Sequence, residues 1–484
     1  MKKASFFLLL FFLAITGYCQ QYQAKWSSLN QRKIPSWFHN DKFGIFIHWG
    51  VYAVPAYAPV IKNSGYSYAE WYWYRLPEKQ KDFVAFHNKN YGADFSYPQF
   101  EKMFKAELFN PEEWANVFKQ SGARYVVLTS KHHEGYTLWN SAEADKTWQR
   151  PWNAVTGTPQ RDLLGDLTNA VRAAGLKMGY YYSLYEWFNP LWLTDKKKYV
   201  SDHLFPQFKD LVTKYKPAII FSDGEWELSD TAWRSEELLA WLFNESPVAK
   251  DVVINDRWGS NTREKNTGAT YTTSEYGSGM DANVTWEESR GIGNSYGYNR
   301  NEKLEDYKTG KELILILTDV VARGGNLLLD IGPTADGRIP VIMQQRLKEI
   351  GDWLKVNGEA IYETTPWKQS YQWSAGKQPE KKGKSFMSGY DINQLIKPDS
   401  NRAFIQSFFT KKGKDIFCIL PSYSAQLKIS NLKMPPAATA AILGNGKALQ
   451  WKQAGNDVVI DLSKLKPGDI PEQLFVIKLK NAAG

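Results

Sequence analysis

From about residue 40 to 360 the chain repeats one unit, a short apolar run rich in β-branched or aromatic residues followed by an amphipathic segment of helical period. Runs that are apolar at almost every position must be covered on both faces, and a parallel sheet flanked by helices does that. The runs also share an ending. Phe43 to Ile47 leads into His48-Trp49-Gly50, Tyr125 to Leu128 into Lys131-His132-His133, and Met178 to Tyr182 into Ser183. Ala218 to Phe221 leads into Ser222-Asp223-Gly224, and Val252 to Ile254 into Asn255-Asp256-Arg257. In a (β/α)₈ barrel, polar residues that follow strands converge on one mouth even when far apart in sequence. The expected fold class is therefore α/β, with a TIM-like (β/α)₈ barrel at its centre.

Between the runs, Pro111 to Gln120 and Leu163 to Ala174 read as helices closing before Gly122 and Gly175. Met343 to Val356 reads as a last amphipathic helix with Asn357-Gly358 as its stop, and beyond Trp367 the texture changes. Ala403 to Phe408, Asp415 to Ile419, Gln426 to Ile429, Val458 to Leu462 and Leu474 to Leu479 alternate between turn residues, the pattern of an antiparallel β-sandwich. The stretch Gly376 to Lys384 reads as an exposed loop near the junction. The expected division is a leader at 1–19, a barrel at 20–365 and a C-terminal β-sandwich at 366–484.

The leader carries Lys2 and Lys3, an apolar stretch from Phe6 to Ile15, and then Gly17, Tyr18 and Cys19. It reads as a signal peptide cleaved before Gln20, too short for a membrane span, which needs roughly 20 apolar residues. Nothing later reads as a span. Export to the periplasm or the outside is expected, with a lipid anchor on Cys19 as the rival reading. Cleavage leaves Cys418 as the only cysteine, so the core must hold without an internal disulfide. The net charge of +9 falls to +7 without Lys2 and Lys3, and the remaining basic residues are scattered rather than gathered into a stripe, which excludes a nucleic-acid partner. Twenty Trp and twenty-seven Tyr supply flat amphipathic rings suited to sugar faces as well as to cores.

Hydrolysis of a glycosidic bond with retention needs two carboxyl groups about 5 to 5.5 Å apart. Asp223 suits the nucleophile's role: it follows a buried-looking run, and Gly224 leaves room for a ring; an Asx turn is the bland alternative. Two acids further on compete for the acid/base role, Glu275 in Thr272-Thr-Ser-Glu-Tyr276 and Glu287 in Thr285-Trp-Glu-Glu288. Glu275 is preferred because a strand-like run would aim it into the mouth. His48, His132 and His133, half of the six histidines, fall at strand ends, where they suit sugar hydroxyls or, with Asp223, a metal. Against one metal, successive residues on an extended strand face opposite ways, so His132 and His133 would need a bulge to share it. Glu70, Trp71, Tyr181 and Trp226 offer a carboxylate and rings, and Arg257 is expected to pair with a carboxylate.

Six motifs occur in order: Trp37-Phe-His-Asn-Asp-Lys-Phe-Gly-Ile-Phe-Ile-His-Trp-Gly50, Lys131-His-His-Glu-Gly135, Phe221-Ser-Asp-Gly-Glu-Trp226, Asn255-Asp-Arg-Trp-Gly259, Arg290-Gly-Ile-Gly-Asn-Ser-Tyr-Gly-Tyr-Asn299 and Gly324-Gly-Asn-Leu-Leu-Leu-Asp-Ile-Gly-Pro333. Over roughly residues 30 to 370 the chain resembles the family 29 α-L-fucosidases. The resemblance implies a (β/α)₈-like catalytic domain with a C-terminal β-sandwich, retaining hydrolysis of terminal α-L-fucosyl residues from oligosaccharides or glycoconjugates, and no metal or organic cofactor. It implies Asp223 as nucleophile, with His48, Glu70, Trp71, His132, His133, Tyr181 and Trp226 lining the fucose pocket and Arg257 beside the acid/base. Some relatives place that acid/base in a Thr-x-Glu-Tyr context, matched by Glu275, and a Trp-Glu pair matching Glu287 has been proposed for others. Phe221 stands where many relatives carry Trp. Two other readings are a metal-dependent hydrolase built on His48, His132, His133 and Asp223, and a carbohydrate-binding barrel without catalysis.

Overall fold

The computed structural model describes residues 21–61, 67–276, 284–378, 392, 396 and 402–483. The expected leader at 1–19 with Cys19, and part of the expected loop at 376–384, lie outside the described residues. Eight parallel strands close a barrel in sequence order: β1 Phe43–Ile47, β2 Tyr125–Lys131, β3 Lys177–Ser183, β4 Ile219–Asp223, β5 Val253–Asn255, β6 Thr270–Glu275, β7 Trp286–Gly291 and β8 Asn326–Ile331. The last strand returns to the first in the register Phe43↔Leu327 to Ile47↔Ile331. Helices Pro111–Gln120 and Leu163–Ala173 cover the strands, each capped by a side chain, Asn110 and Asp162, that accepts a first-turn N–H. β1 and Pro111–Gln120 have the limits read from the sequence. β4 runs two residues further than its apolar pattern, so Asp223 is the strand's last residue rather than the first beyond it.

The barrel interior is packed by Phe46, Tyr125, Val127, Tyr181, Phe221, Val253, Tyr271 and Leu328, while a larger apolar shell fills the space between strands and helices. Helix Val341–Asn357 then leads into a second sheet beginning with β9 Thr365–Trp373. Its antiparallel strands β10 Ile405–Lys412, β11 Asp415–Leu420, β12 Gln426–Ile429, β13 Thr439–Ile442, β14 Ala448–Ala454, β15 Asp457–Asp461 and β16 Phe475–Lys480 follow the order β12-β15-β14-β13-β16-β11-β10-β9. They wrap a core of their own that includes Phe409, Cys418, Ile429, Val458 and Ile477. The two ends of the sheet meet through Gln372 on β9, which donates to the Lys428 carbonyl at 2.6 Å and accepts from the Ser430 N–H at 2.9 Å. Trp353 fastens the sheet to the barrel by donating its indole N–H to the Leu474 carbonyl at 2.7 Å. No described helix is long and apolar enough to cross a membrane.

One acid lies inside the barrel wall of side chains. Gly44 on β1 pairs with Tyr125 on β2, and a β-carbon there would sit 2.2 Å from the Tyr125 ring, so only glycine lets that ring lie inward. The Tyr125 hydroxyl donates to Glu287, the second residue of β7, and burial raises the Glu287 carboxyl to about 7 against the bonds from Tyr125 and Tyr271. The folded state therefore favours the protonated acid, and this group's contribution to stability falls as pH rises from the ordinary 4.5 through about 7. Glu287→Gln is expected to gain on the unaltered chain by up to about 3 kcal/mol above neutrality and by little near pH 4.5. Denaturant unfolding of both proteins at pH 5 and pH 8 measures this; a stability difference that does not change with pH refutes it.

Candidate active site

A cavity of about 260 Å³ opens at the carboxyl ends of the strands, where such barrels assemble their reactive groups. Its walls include His48 after β1, Glu70 and Trp71 from the 3₁₀ turn Ala69–Trp71, His132 after β2, Tyr181 on β3, Asp223 on β4, Trp226, Arg257 after β5 and Glu275 closing β6. Nine of the residues singled out in the sequence thus meet around one space. His133 stands directly behind, its Nε2 3.5 Å from Asp223 Oδ2. Glu287 is the exception: it lies in the barrel interior among Tyr125 and Tyr271, outside the cavity lining, because its position near the start of β7 sets it at the foot of the strand.

Arg257 joins the two cavity acids. Its Nη1 donates to Asp223 Oδ1 at 2.8 Å, its Nη2 donates to Glu275 Oε1, and its Nε donates to Thr273 Oγ1 at 3.0 Å. The guanidinium is 2% exposed and stands over the Phe221 ring, with its centre 4.9 Å from the ring centroid. Asp223 takes no turn-forming role, since its carboxyl also accepts from the Tyr181 hydroxyl at 2.8 Å. Burial alone would raise that carboxyl, but Arg257 first and His133 second hold it far below the usual carboxylate range. Asp223 is therefore an anion at any working pH. Gly224, at φ +71, turns the chain away at once, and a β-carbon there would fall 2.8 Å from the Ser183 hydroxyl.

The three histidines are each backed by a polar group on Nδ1. His48 meets Asp330 at 2.7 Å and His133 meets the Ser183 hydroxyl at 2.6 Å, while His132 lies 3.5 Å from Glu134. Burial, and then the neighbouring His132, push His48 well below its ordinary value; burial pushes Asp330 well above its own. The sequence expectation that His132 and His133 face opposite ways fails. β2 ends at Lys131, and both residues sit in a turn closed by the Gly135 N–H donating to the His132 carbonyl at 3.0 Å, so their rings lie 4.2 Å apart. Among the described residues no three His, Cys, Asp or Glu side chains are grouped so as to hold a metal ion.

Glu70 is buried, raised by that burial, and accepts from the Gly297 N–H at 2.9 Å. Trp71 and Trp226 stack at 6.3 Å and 21°, with Trp226 37% exposed at the rim. Sequence reasoning missed Tyr68, Arg263, Ser289 and Tyr296 in the lining, and Asp330 behind His48. Asp330 lies next to last in β8, so the same strand-end rule would have found it had that strand been assigned, whereas Ser289 lies within β7. Arg263 Nε donates at 2.6 Å to Glu225, a contact between two loops that no local pattern announces. A larger cleft of about 540 Å³ on the C-terminal sheet is lined by Lys368, Lys411 and Lys433 but by no acid, so it offers no pair of carboxyls.

The chain matches the family model described as alpha-L-fucosidase over residues 10–359. It is 46% identical over 375 residues to an alpha-L-fucosidase of Dictyostelium discoideum, covering 75% of this chain and 78% of that one. It is 38% identical over 470 residues to the tissue alpha-L-fucosidase of Rattus norvegicus, covering 95% and 92%. A crystal structure of Thermotoga maritima alpha-fucosidase in complex with fucose superposes with a TM-score of 0.75 at 32% identity, covering 95% of this chain and all of that one. A barrel of this order, an acid pair held by one arginine at its mouth and these matches lead to one conclusion: the chain belongs to the α-L-fucosidase family of glycoside hydrolases.

Proposed function

We propose that the chain is an exported, exo-acting, retaining α-L-fucosidase, with Asp223 as nucleophile and Glu275 as acid/base. The observation that carries the reading is the single guanidinium of Arg257 holding both carboxyls at one cavity, since a double displacement uses two carboxyls that act on one bond. Asp223 attacks the anomeric carbon as the bond to the leaving oxygen breaks, and Glu275 gives that oxygen its proton. Glu275 then takes a proton from water, whose oxygen displaces Asp223 and frees fucose with the configuration retained. His48, Glu70, Trp71, His132, His133, Tyr181 and Trp226 read the sugar, and the small cavity suits one terminal residue of a fucosylated oligosaccharide or glycoconjugate. The proposed organisation is a signal peptide at 1–19, a catalytic unit at 20–365 and a β-sandwich unit at 366–484. No metal or organic cofactor takes part.

Asp223→Gly is expected to lose turnover by on the order of 10⁴-fold or more, and azide should restore product as a fucosyl azide of inverted configuration. Retained hydrolysis without azide would end the assignment. For Glu275→Ala the loss should depend on the leaving group: on the order of 10²-fold to 10⁴-fold with a poor aglycone and far less with an activated aryl fucoside. Equal losses on both substrates would move the proton donor elsewhere. A chelator should leave kcat/KM unchanged; inactivation reversed by added metal would favour the hydrolase that uses His48, His132, His133 and Asp223 as ligands.

A further inference from the structure

Behind His132 a carboxyl is buried without a hydrogen-bond partner. Glu134 is 1% exposed, and neither Oε1 nor Oε2 receives a hydrogen bond. Two buried donors near it are equally unpartnered, His132 Nδ1 and the Tyr97 hydroxyl. A buried acid left unsatisfied is costly, so a chain keeps one only where something offsets that cost. The turn that follows β2 brings the parts together: the Gly135 N–H donates to the His132 carbonyl, and the Glu134 side chain folds back to leave Oε2 3.5 Å from His132 Nδ1. Gly50 admits the other oxygen, since a β-carbon there would lie only 3.1 Å from Glu134 Oε1. The other two histidines of the site have their Nδ1 atoms engaged at 2.7 and 2.6 Å. His132 alone has a carboxyl at that nitrogen with the contact not yet closed.

We propose that Glu134 is a positioning residue that accepts the Nδ1 proton of neutral His132 and so leaves Nε2 as an unprotonated acceptor facing the cavity. An imidazole nitrogen without its proton can only accept, so this tautomer selects a sugar hydroxyl that donates to it. The Tyr97 hydroxyl, also buried without a partner, lies within the field of the same carboxyl. Lys131 also feels the charge of Glu134, but its ammonium hydrogen-bonds to Glu186 at 2.7 Å. The Tyr52 hydroxyl bonds with the Thr129 hydroxyl at 3.3 Å and also lies in the field of Glu134. The Tyr181 ring stacks on His132 at 5.5 Å and 14°, so the imidazole has its plane set by Tyr181 and its edge set by Glu134.

The inference rests on the proposed reading of His132 as a sugar contact, and its test separates the two. In ¹⁵N-histidine-labelled protein at pH 7, with His132 assigned by the signal lost in His132→Asn, the unaltered chain should show the proton on Nδ1. In Glu134→Gln, which keeps the volume and removes the charge, the His132 signal should move toward a mixture of tautomers. There kcat/KM for an aryl fucoside should fall roughly tenfold, with most of the fall in KM, as for a contact present in both ground and transition states. A His132 protonated on Nε2 or on both nitrogens in the unaltered chain overturns the proposal, whatever becomes of the variant. An unmoved tautomer in Glu134→Gln overturns it too. A tautomer that moves while KM does not upholds the link to Glu134 and removes His132 from the sugar contacts instead.

Discussion

The arrangement depends on a cation placed where solvent cannot reach it. Two carboxylates drawn together inside a barrel repel each other and lose hydration, and either alone would take up a proton instead. Arg257 removes that outcome at Asp223, and its three nitrogens donate locally, to Asp223, Glu275 and Thr273. A lysine at this place would supply one mobile point charge, whereas the planar guanidinium fixes two acids at set directions from a single ring-backed plane. Because Arg257 follows β5, while Asp223 ends β4 and Glu275 ends β6, the bridge spans three neighbouring strands, and the closure of the barrel is what makes it possible.

A second buried ion pair holds up the histidine side of the mouth. Lys131, the last residue of β2, donates to Glu186 at 2.7 Å, and Glu186 also meets His203 Nε2 at 2.6 Å and accepts from Asn189 at 2.7 Å and Trp148 at 3.1 Å. Burial works against the charge on Glu186, but His203 and Lys131 outweigh it and keep the carboxyl well below its ordinary range. The Trp187 N–H then donates to the His133 carbonyl at 2.9 Å, so this knot grips the turn that carries His132, His133 and Glu134. Gly135 is part of the fit, because a β-carbon there would come within 2.6 Å of Glu186 Oε2. A fully satisfied network of this kind fixes side-chain positions, whatever its net effect on stability.

The apolar runs made the barrel legible because a strand buried on both faces leaves a continuous hydrophobic signature. It showed for β1 to β5 and was faint for β6 and β7, whose sequences Thr-Tyr-Thr-Thr-Ser-Glu and Trp-Glu-Glu-Ser-Arg-Gly are polar although buried. Those strands bury polar groups because they carry Glu275, Glu287 and Glu288, and the chemistry erased the pattern that marks a strand. The ambiguity between Glu275 and Glu287 had the same origin. Sequence proximity to a Gly-rich segment says nothing about height along a strand: one acid ends β6 at the mouth, and the other lies second in β7 near its base. On the C-terminal sheet, β9, β13 and β14 escaped because they are short, Ala-rich or half exposed, so alternation was weak.

Charge is therefore zoned along the barrel axis. At the foot, Glu287 sits between two tyrosines with burial favouring its neutral form, and behind the mouth burial acts the same way on both members of the His48–Asp330 pair. At the cavity itself Arg257, followed by His133, reverses the balance and keeps Asp223 ionised. A barrel with anions throughout would spread its field over many groups and repel an electron-rich sugar at every point. Confining the ionised nucleophile to one arginine-held site directs the field at a single position, and a positively charged anomeric centre is stabilised there more than a neutral glycoside is.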